Sequence, residues 1–198
     1  MLCEAKSLPN ETLEKAFDQL KEGRFESAIE EFTLCVLSDP EEAKAYEGRA
    51  LAHFQIKNWS AAVSDFKKAK ELNPKNFENW IGLGMSLAMI NEIYPAIDVL
   101  ETLLTDHPDF ARGHIQLGML YYRLGVIKKG HDQMDLALAS RPSLTERRQA
   151  EALKKEQMVL DKKRLYRPDF EELRKKNKAS GSITKQVIEF LKKKFSNH

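Results

Sequence analysis

Pro40, Pro74, Pro108 and Pro142 fall 34 residues apart, and the segments they close share one pattern of small, aromatic and aliphatic positions. A fixed period of that length means a stack of helical units, each leaving apolar surface that only its neighbour can cover. Laid in register, residues 43–74, 77–108 and 111–142 align Tyr46, Trp80 and His114, then Ala50, Gly84 and Gly118, then Trp59, Ile93 and Ile127. Further columns hold Ala62, Ala96 and Gly130, then Phe66, Leu100 and Met134, then Ala69, Leu103 and Ala137; a first unit closed by Pro40 matches with Ala16, Phe25, Ala28, Phe32 and Cys35. Each unit divides near its middle at turn-type residues, Gly23, Lys57-Asn58, Asn91 and Gly125. The stretches on either side carry apolar positions three and four apart, which predicts two antiparallel helices per unit. Small residues at Ala50, Gly84 and Gly118 mark where helix axes approach closely. Pro95 falls in the first turn of its predicted helix, where a missing amide donor costs little, and the period-marking prolines fall just past helix ends.

These columns resemble the tetratricopeptide repeat, whose pattern is an aromatic, Leu-Gly, Tyr, a second aromatic, Ala, Phe, Ala and Pro. Trp80-x-x-Leu83-Gly84 with Leu87, Ala96 and Pro108 is a close match. The resemblance covers residues 9–142 as four repeats, about 9–40, 43–74, 77–108 and 111–142. It implies an all-α fold, a right-handed superhelical solenoid of antiparallel helix pairs. Residues 143–166 then read as a C-terminal capping helix, opened by Ser143 or Thr145, with Leu144, Ala150, Leu153, Met158, Leu160 and Leu165 available to cover the last repeat. Residues 167–198 form a basic tail.

The 198 residues carry 42% hydrophobic and 31% charged side chains, enough for a core and a solvated surface. The two cysteines, Cys3 and Cys35, are too few for a disulfide framework, and Cys35 fills a column otherwise held by Ala or Leu, as a core thiol would. No apolar run has the length of a membrane span, and the first residues lack the basic-then-apolar form of a secretory signal. A cytoplasmic setting is the expectation. The formal charge of +2 conceals a division: residues 1–140 hold 15 Lys and Arg against 22 Asp and Glu, net −7, whereas residues 141–198 hold 17 against 8, net +9. Within the tail, Arg167-Pro168-Asp169 breaks the chain and residues 178–182 read as a joint. Beyond it Ile183, Val187, Phe190, Leu191 and Phe195 recur at helical spacing opposite Lys185 and Lys192-Lys193-Lys194, a basic amphipathic helix.

In the family the first helix of each pair lines a concave surface that takes an extended or helical peptide. Carried onto this sequence, the groove positions are Leu13, Phe17, Leu20 and Lys21, then Lys44, Glu47, Leu51, Phe54 and Gln55. The third repeat contributes Glu78, Ile81, Met85, Ala88 and Met89, and the fourth Arg112, Ile115, Met119, Tyr122 and Arg123. Ile81, Met85 and Ala88 also form a stripe beside that of Trp80, Leu83, Gly84 and Leu87, so this helix has two apolar faces. A row of so many apolar residues calls for a cover, and its three methionines suit a surface that adapts its shape. The expected cover is an apolar or amphipathic segment of a partner, or the chain's own helix over 183–195, folded back or reaching a neighbouring copy in self-association.

The family's carboxylate clamp for acidic C-terminal tails of heat-shock chaperones is absent: its columns hold Leu13 and Phe17, Gly48, and Glu78 and Gly82, and starting one repeat later gives Glu47, Leu51, Gly82, Arg112 and Gln116. The histidines at 53, 107, 114, 131 and 198 show no metal-ligand spacing with a second ligand, and Gly82-Leu83-Gly84 lies inside a helix rather than in a phosphate loop. No enzyme, cofactor or metal site is expected; the reading is a scaffold, adaptor or chaperone-like module. The alternative is a peripheral binder of anionic membranes through the basic tail, with nucleic acid the weaker choice because stacking aromatics are sparse among those charges.

Overall fold

A computed structural model describes residues 7–165, and every regular element among them is an α-helix. The helices pair in order: α1 (Ser7–Lys21) with α2 (Phe25–Ser38), α3 (Ala43–Gln55) with α4 (Trp59–Leu72), α5 (Phe77–Met89) with α6 (Ile93–Asp106), and α7 (Ala111–Arg123) with α8 (Ile127–Ala139), followed by α9 (Leu144–Leu165). The chain divides into two compact units, Met1–Lys154 and Lys155–His198, and the four pairs lie in the first. The tail helix expected over 183–195 lies outside the described residues.

Each pair turns at the residue the sequence marks. Gly23, Lys57, Asn91 and Gly125, again 34 apart, have φ of 76°, 63°, 68° and 76°. The next amide in each case donates five residues back, Arg24 to Gln19, Asn58 to His53, Glu92 to Leu87 and Val126 to Tyr121, at 2.8–2.9 Å. This is the helix-ending bond that a left-handed residue permits. Glycine enters that conformation freely, whereas Lys57 and Asn91 do so at a cost of about 1 kcal/mol.

Helices α1, α3, α5 and α7 touch one another in sequence and form the inner layer, while α2, α4 and α6 each pack between two inner ones and α8 packs on α7. The result is the expected solenoid of antiparallel pairs. An inner helix after the first therefore has two outer-layer partners, its own and that of the preceding repeat, and α5 packs on both α4 and α6. The second apolar stripe read in α5 is largely consumed by that contact.

The repeats join through one recurring pair of positions, a large residue of an outer helix set on a small residue of the next inner helix. A Cβ on Gly48 would stand 2.2 Å from the Phe32 ring, and one on Gly82 would stand 2.5 Å from the Phe66 ring. Thirty-four residues on, the pair becomes Leu100 and Gln116; a further 34 on, it becomes Met134 and Ala150, both fully buried in one cluster. The predicted crossings hold as well, since a Cβ on Gly84 would lie 3.2 Å from Leu100 and one on Gly118 would lie 2.8 Å from Met134.

Ala150 shows how α9 begins. Ser143 Oγ accepts from the Glu146 amide at 3.3 Å while Glu146 Oε2 accepts from the Ser143 amide at 2.8 Å, a reciprocal cap. Ala150 and Leu153 then pack on α8, with Lys154 paired to Asp135. Of the other residues expected to cover the last repeat, Leu144 is 75% exposed and Met158 and Leu160 are also exposed. The side chain of Leu165 lies outside the described residues.

Candidate functional site

Two adjoining hollows open on the inner layer. The first, about 160 Å³, is lined by Phe54 of α3, Gly84, Met85, Ala88 and Met89 of α5, Leu100 of α6, and Gln116, Met119, Leu120 and Arg123 of α7. Its wall is almost wholly apolar. At one end the Arg123 guanidinium donates to the Ala88 carbonyl at 2.7 Å and approaches Asn91 Oδ1 at 3.5 Å, so the cation satisfies a helix-terminal oxygen instead of facing the cavity alone. Met89 and Met119 stay 48% and 39% exposed, a large apolar area for thioethers on a helical surface.

The second hollow, about 360 Å³, shares Phe54 and Met85 with the first and is completed by Glu47, Leu51, Gln55, Phe66, Glu78, Asn79, Ile81, Gly82 and Arg112. It has an apolar wall and a charged rim. Glu78 Oε1 accepts from Arg112 Nη1 at 2.6 Å, and Glu47 Oε2 accepts from Asn76 Nδ2 at 2.8 Å. Burial holds the Glu47 carboxyl above the usual carboxylate range; the Asn76 bond offsets part of that rise and nearby Glu78 adds to it. At the floor, Asn79 is fully buried, and neither its Nδ2 nor its Oδ1 has a hydrogen-bond partner among the described residues.

The positions expected in the groove thus separate into three groups. Glu47, Leu51, Phe54, Gln55, Glu78, Ile81, Met85, Ala88, Met89, Arg112, Met119 and Arg123 border one or both hollows. Leu13, Phe17 and Leu20 instead pack half-buried in the first repeat, with Phe17 edge-on to Phe32 at 4.9 Å, while Lys21 pairs with Asp18 at 2.9 Å and Lys44 is exposed. The fourth repeat requires a correction. Ile115 is fully buried against α8 and α9, and Tyr122 lies over Gly130 with its hydroxyl 2.8 Å from His131 Nδ1; neither lines a hollow. Ile81 is also a core residue, 2% exposed, that shows only an edge to the second hollow. The reason is the two-sided packing of inner helices, which turns the middle of the stripe inward.

Asn79 and Gln116 were not singled out as groove residues, although their columns carried a signal. Asn79 interrupts the small column Ala45 and Gly113, and Gln116 interrupts Gly48, Gly82 and Ala150.

His114 has structural work. Trp80 Nε1 donates to the Pro74 carbonyl at 3.0 Å, and His114 Nε2, one repeat later, donates to the Pro108 carbonyl at 2.8 Å. A ring N–H at this column ties α5 and α7 each to the proline that precedes it. Among the described residues no three His, Cys, Asp or Glu come together as a metal site, and no helix is long and apolar enough to cross a membrane. Cys35 is a buried free thiol, as expected, with burial raising its pKa.

This fold of paired helices at a period of 34, with an apolar inner surface, is that of the tetratricopeptide repeat. Residues 13–77 match the family model described as Tetratricopeptide repeat. Sperm-associated antigen 1 of Rattus norvegicus is 30% identical over 102 residues, 52% of this chain and 11% of that protein. Protein SGT1 homolog of Oryza sativa is 34% identical over 77 residues, 39% of this chain and 21% of that protein. The chain therefore spans about a tenth to a fifth of the length of these relatives. Among solved structures, MamA from Desulfovibrio magneticus RS-1 superposes with a TM-score of 0.62 at 20% identity, covering 80% of this chain and 97% of that one, a likeness of fold.

Proposed function

We propose that this chain is a non-catalytic adaptor or scaffold, and that it takes an apolar or amphipathic segment of a partner protein along the inner surface of α3, α5 and α7. The first hollow carries this reading. Its wall is apolar, it opens on the layer that no outer helix covers, and the exposed thioethers at its mouth can adapt to an entering side chain. An acidic C-terminal tail suits the surface poorly, because a cation column of the family's clamp holds Glu78 in one register and Glu47 in the other.

The test is a titration of a labelled designed helix, with Leu and Phe on one face and Gln on the other, against the intact protein and Met85→Glu/Met119→Glu. Saturable micromolar binding, weakened about tenfold or more by the double substitution with the thermal midpoint preserved, is the expected result. Binding indifferent to both substitutions, or none to the intact protein, overturns the reading.

A further inference from the structure

We infer that the second hollow is a subsite for a basic side chain, a Lys or Arg of the bound segment, next to an apolar side chain held in the first. This rests on the reading of the inner surface as a peptide groove and says which peptides it prefers.

Three observations carry it. The rim has a weakly compensated carboxylate: Glu78 is engaged by Arg112, whereas Glu47 makes no ion pair among the described residues and has only the Asn76 amide and the more distant charge of Lys44 to offset its burial. A half-buried carboxylate with so little compensation gains most from a positive group brought into the same space. The wall between rim and floor is Leu51, Phe54, Ile81 and Met85, which matches the aliphatic stem of a long basic side chain whose charge must remain at a polar end.

The floor adds the third observation. Asn79 places an amide whose two polar atoms have no partner among the described residues where the repeats on either side have Ala45 and Gly113. A buried amide without partners costs about 1–3 kcal/mol, and Ala in its place would avoid that cost. Its Oδ1 is an acceptor, the kind a guanidinium, an ammonium or a water carried in with either would satisfy. Residues 1–140 carry a net charge of −7, which favours approach of such a segment over an acidic one.

The experiment compares three designed amphipathic helices that share one Leu/Phe face and bear Lys, Gln or Glu on the other. They are titrated against the intact protein, Glu47→Gln/Glu78→Gln and Glu47→Lys. The Lys helix is expected to bind about tenfold tighter than the Gln helix, and the Glu helix weakest. In the double Gln variant the Lys preference shrinks to about threefold or less while affinity for the Gln helix holds, and Glu47→Lys moves the preference toward the Glu helix.

Equal binding of the Lys and Gln helices, or a Lys preference that survives both variants, overturns the subsite and leaves the apolar groove standing. Failure of all three helices overturns both readings. Repeating the series with Lys192, Lys193 and Lys194 changed to Gln keeps a null result decisive, since the chain's own basic end then no longer competes by charge. A synthetic peptide of residues 181–198 that follows the same ranking identifies that end as one segment of the required chemistry.

Discussion

The junctions between repeats one and two, and between two and three, are built from the same parts: a phenylalanine ring seated on a glycine, Phe32 on Gly48 and Phe66 on Gly82. The junction between repeats three and four uses Leu100 and Gln116, and both line the apolar hollow. Trading a ring for a branched aliphatic on one side, and a hydrogen for an amide on the other, changes the shape of the joint as well as its size. Both kinds of joint border an opening, since Phe66 and Gly82 line the second hollow and Leu100 and Gln116 line the first. What the exchange alters is the lining: the ring-on-glycine joint adjoins the hollow with a charged rim, and the joint of Leu100 and Gln116 adjoins the apolar one.

The sharpest way to break this comparison is to empty both joints. Phe66→Ala removes a ring that is 2% exposed and should cost about 3–5 kcal/mol in chemical denaturation. Leu100→Ala enlarges a space that already exists and should fall near the lower end of the usual range of about 2–5 kcal/mol. Equal costs at the two sites would mean that the third junction is packed as tightly as the others.

A smaller effect comes from filling the glycine side. Gly82→Ala places a methyl group 2.5 Å from the Phe66 ring and should destabilise by about 1–3 kcal/mol despite alanine's better helix propensity. Gln116→Ala, at the equivalent position, should be neutral or slightly stabilising. Thermal midpoints of the two variants, read side by side, decide whether the column is constrained by its partner or by its helix.

The smallest effect concerns Glu47 and depends on pH. Its folded carboxyl has a raised pKa, so the folded protein holds that proton more tightly than the unfolded chain does. Stability from this group is therefore present below the unfolded pKa, about 4.3, and is lost as pH rises through the folded value. Glu47→Gln should match the parent near pH 4 and exceed it at neutral pH, by less than about 1 kcal/mol because water still reaches the group. A variant less stable than the parent at neutral pH would show that the carboxylate is compensated after all.

What could be read in advance follows the range of the interactions involved. Gly23, Lys57, Asn91 and Gly125 were legible because a helix-ending turn depends on the residues within it, and all four take left-handed φ. The seating of Trp80 and His114 on proline carbonyls was visible only in part, since the column shows an aromatic but not where its N–H points. Leu51, Phe54, Met85, Met89 and Met119 were placed on the open surface and border the hollows. Ile115 was not separable from them in sequence, because its burial comes from Met134, Ala137 and Ala150 on two later helices. Asn79 and Gln116 are departures from a column, and a departure acquires meaning only when the neighbour it should have met is known.

Among the described residues each inner helix meets the next inner helix and its adjacent outer helices, and α2, α4 and α6 each bridge two successive inner helices. The described body is thus closer to a one-dimensional chain of linked blocks than to a globule with a centre. In such a chain, opening starts at the ends and advances inward, and protection against amide exchange rises toward the middle. Both hollows rest mainly on α3, α5 and α7, so the surface that meets a partner is carried largely by blocks with neighbours on either side. The groove should outlast the fraying of the helices that flank it.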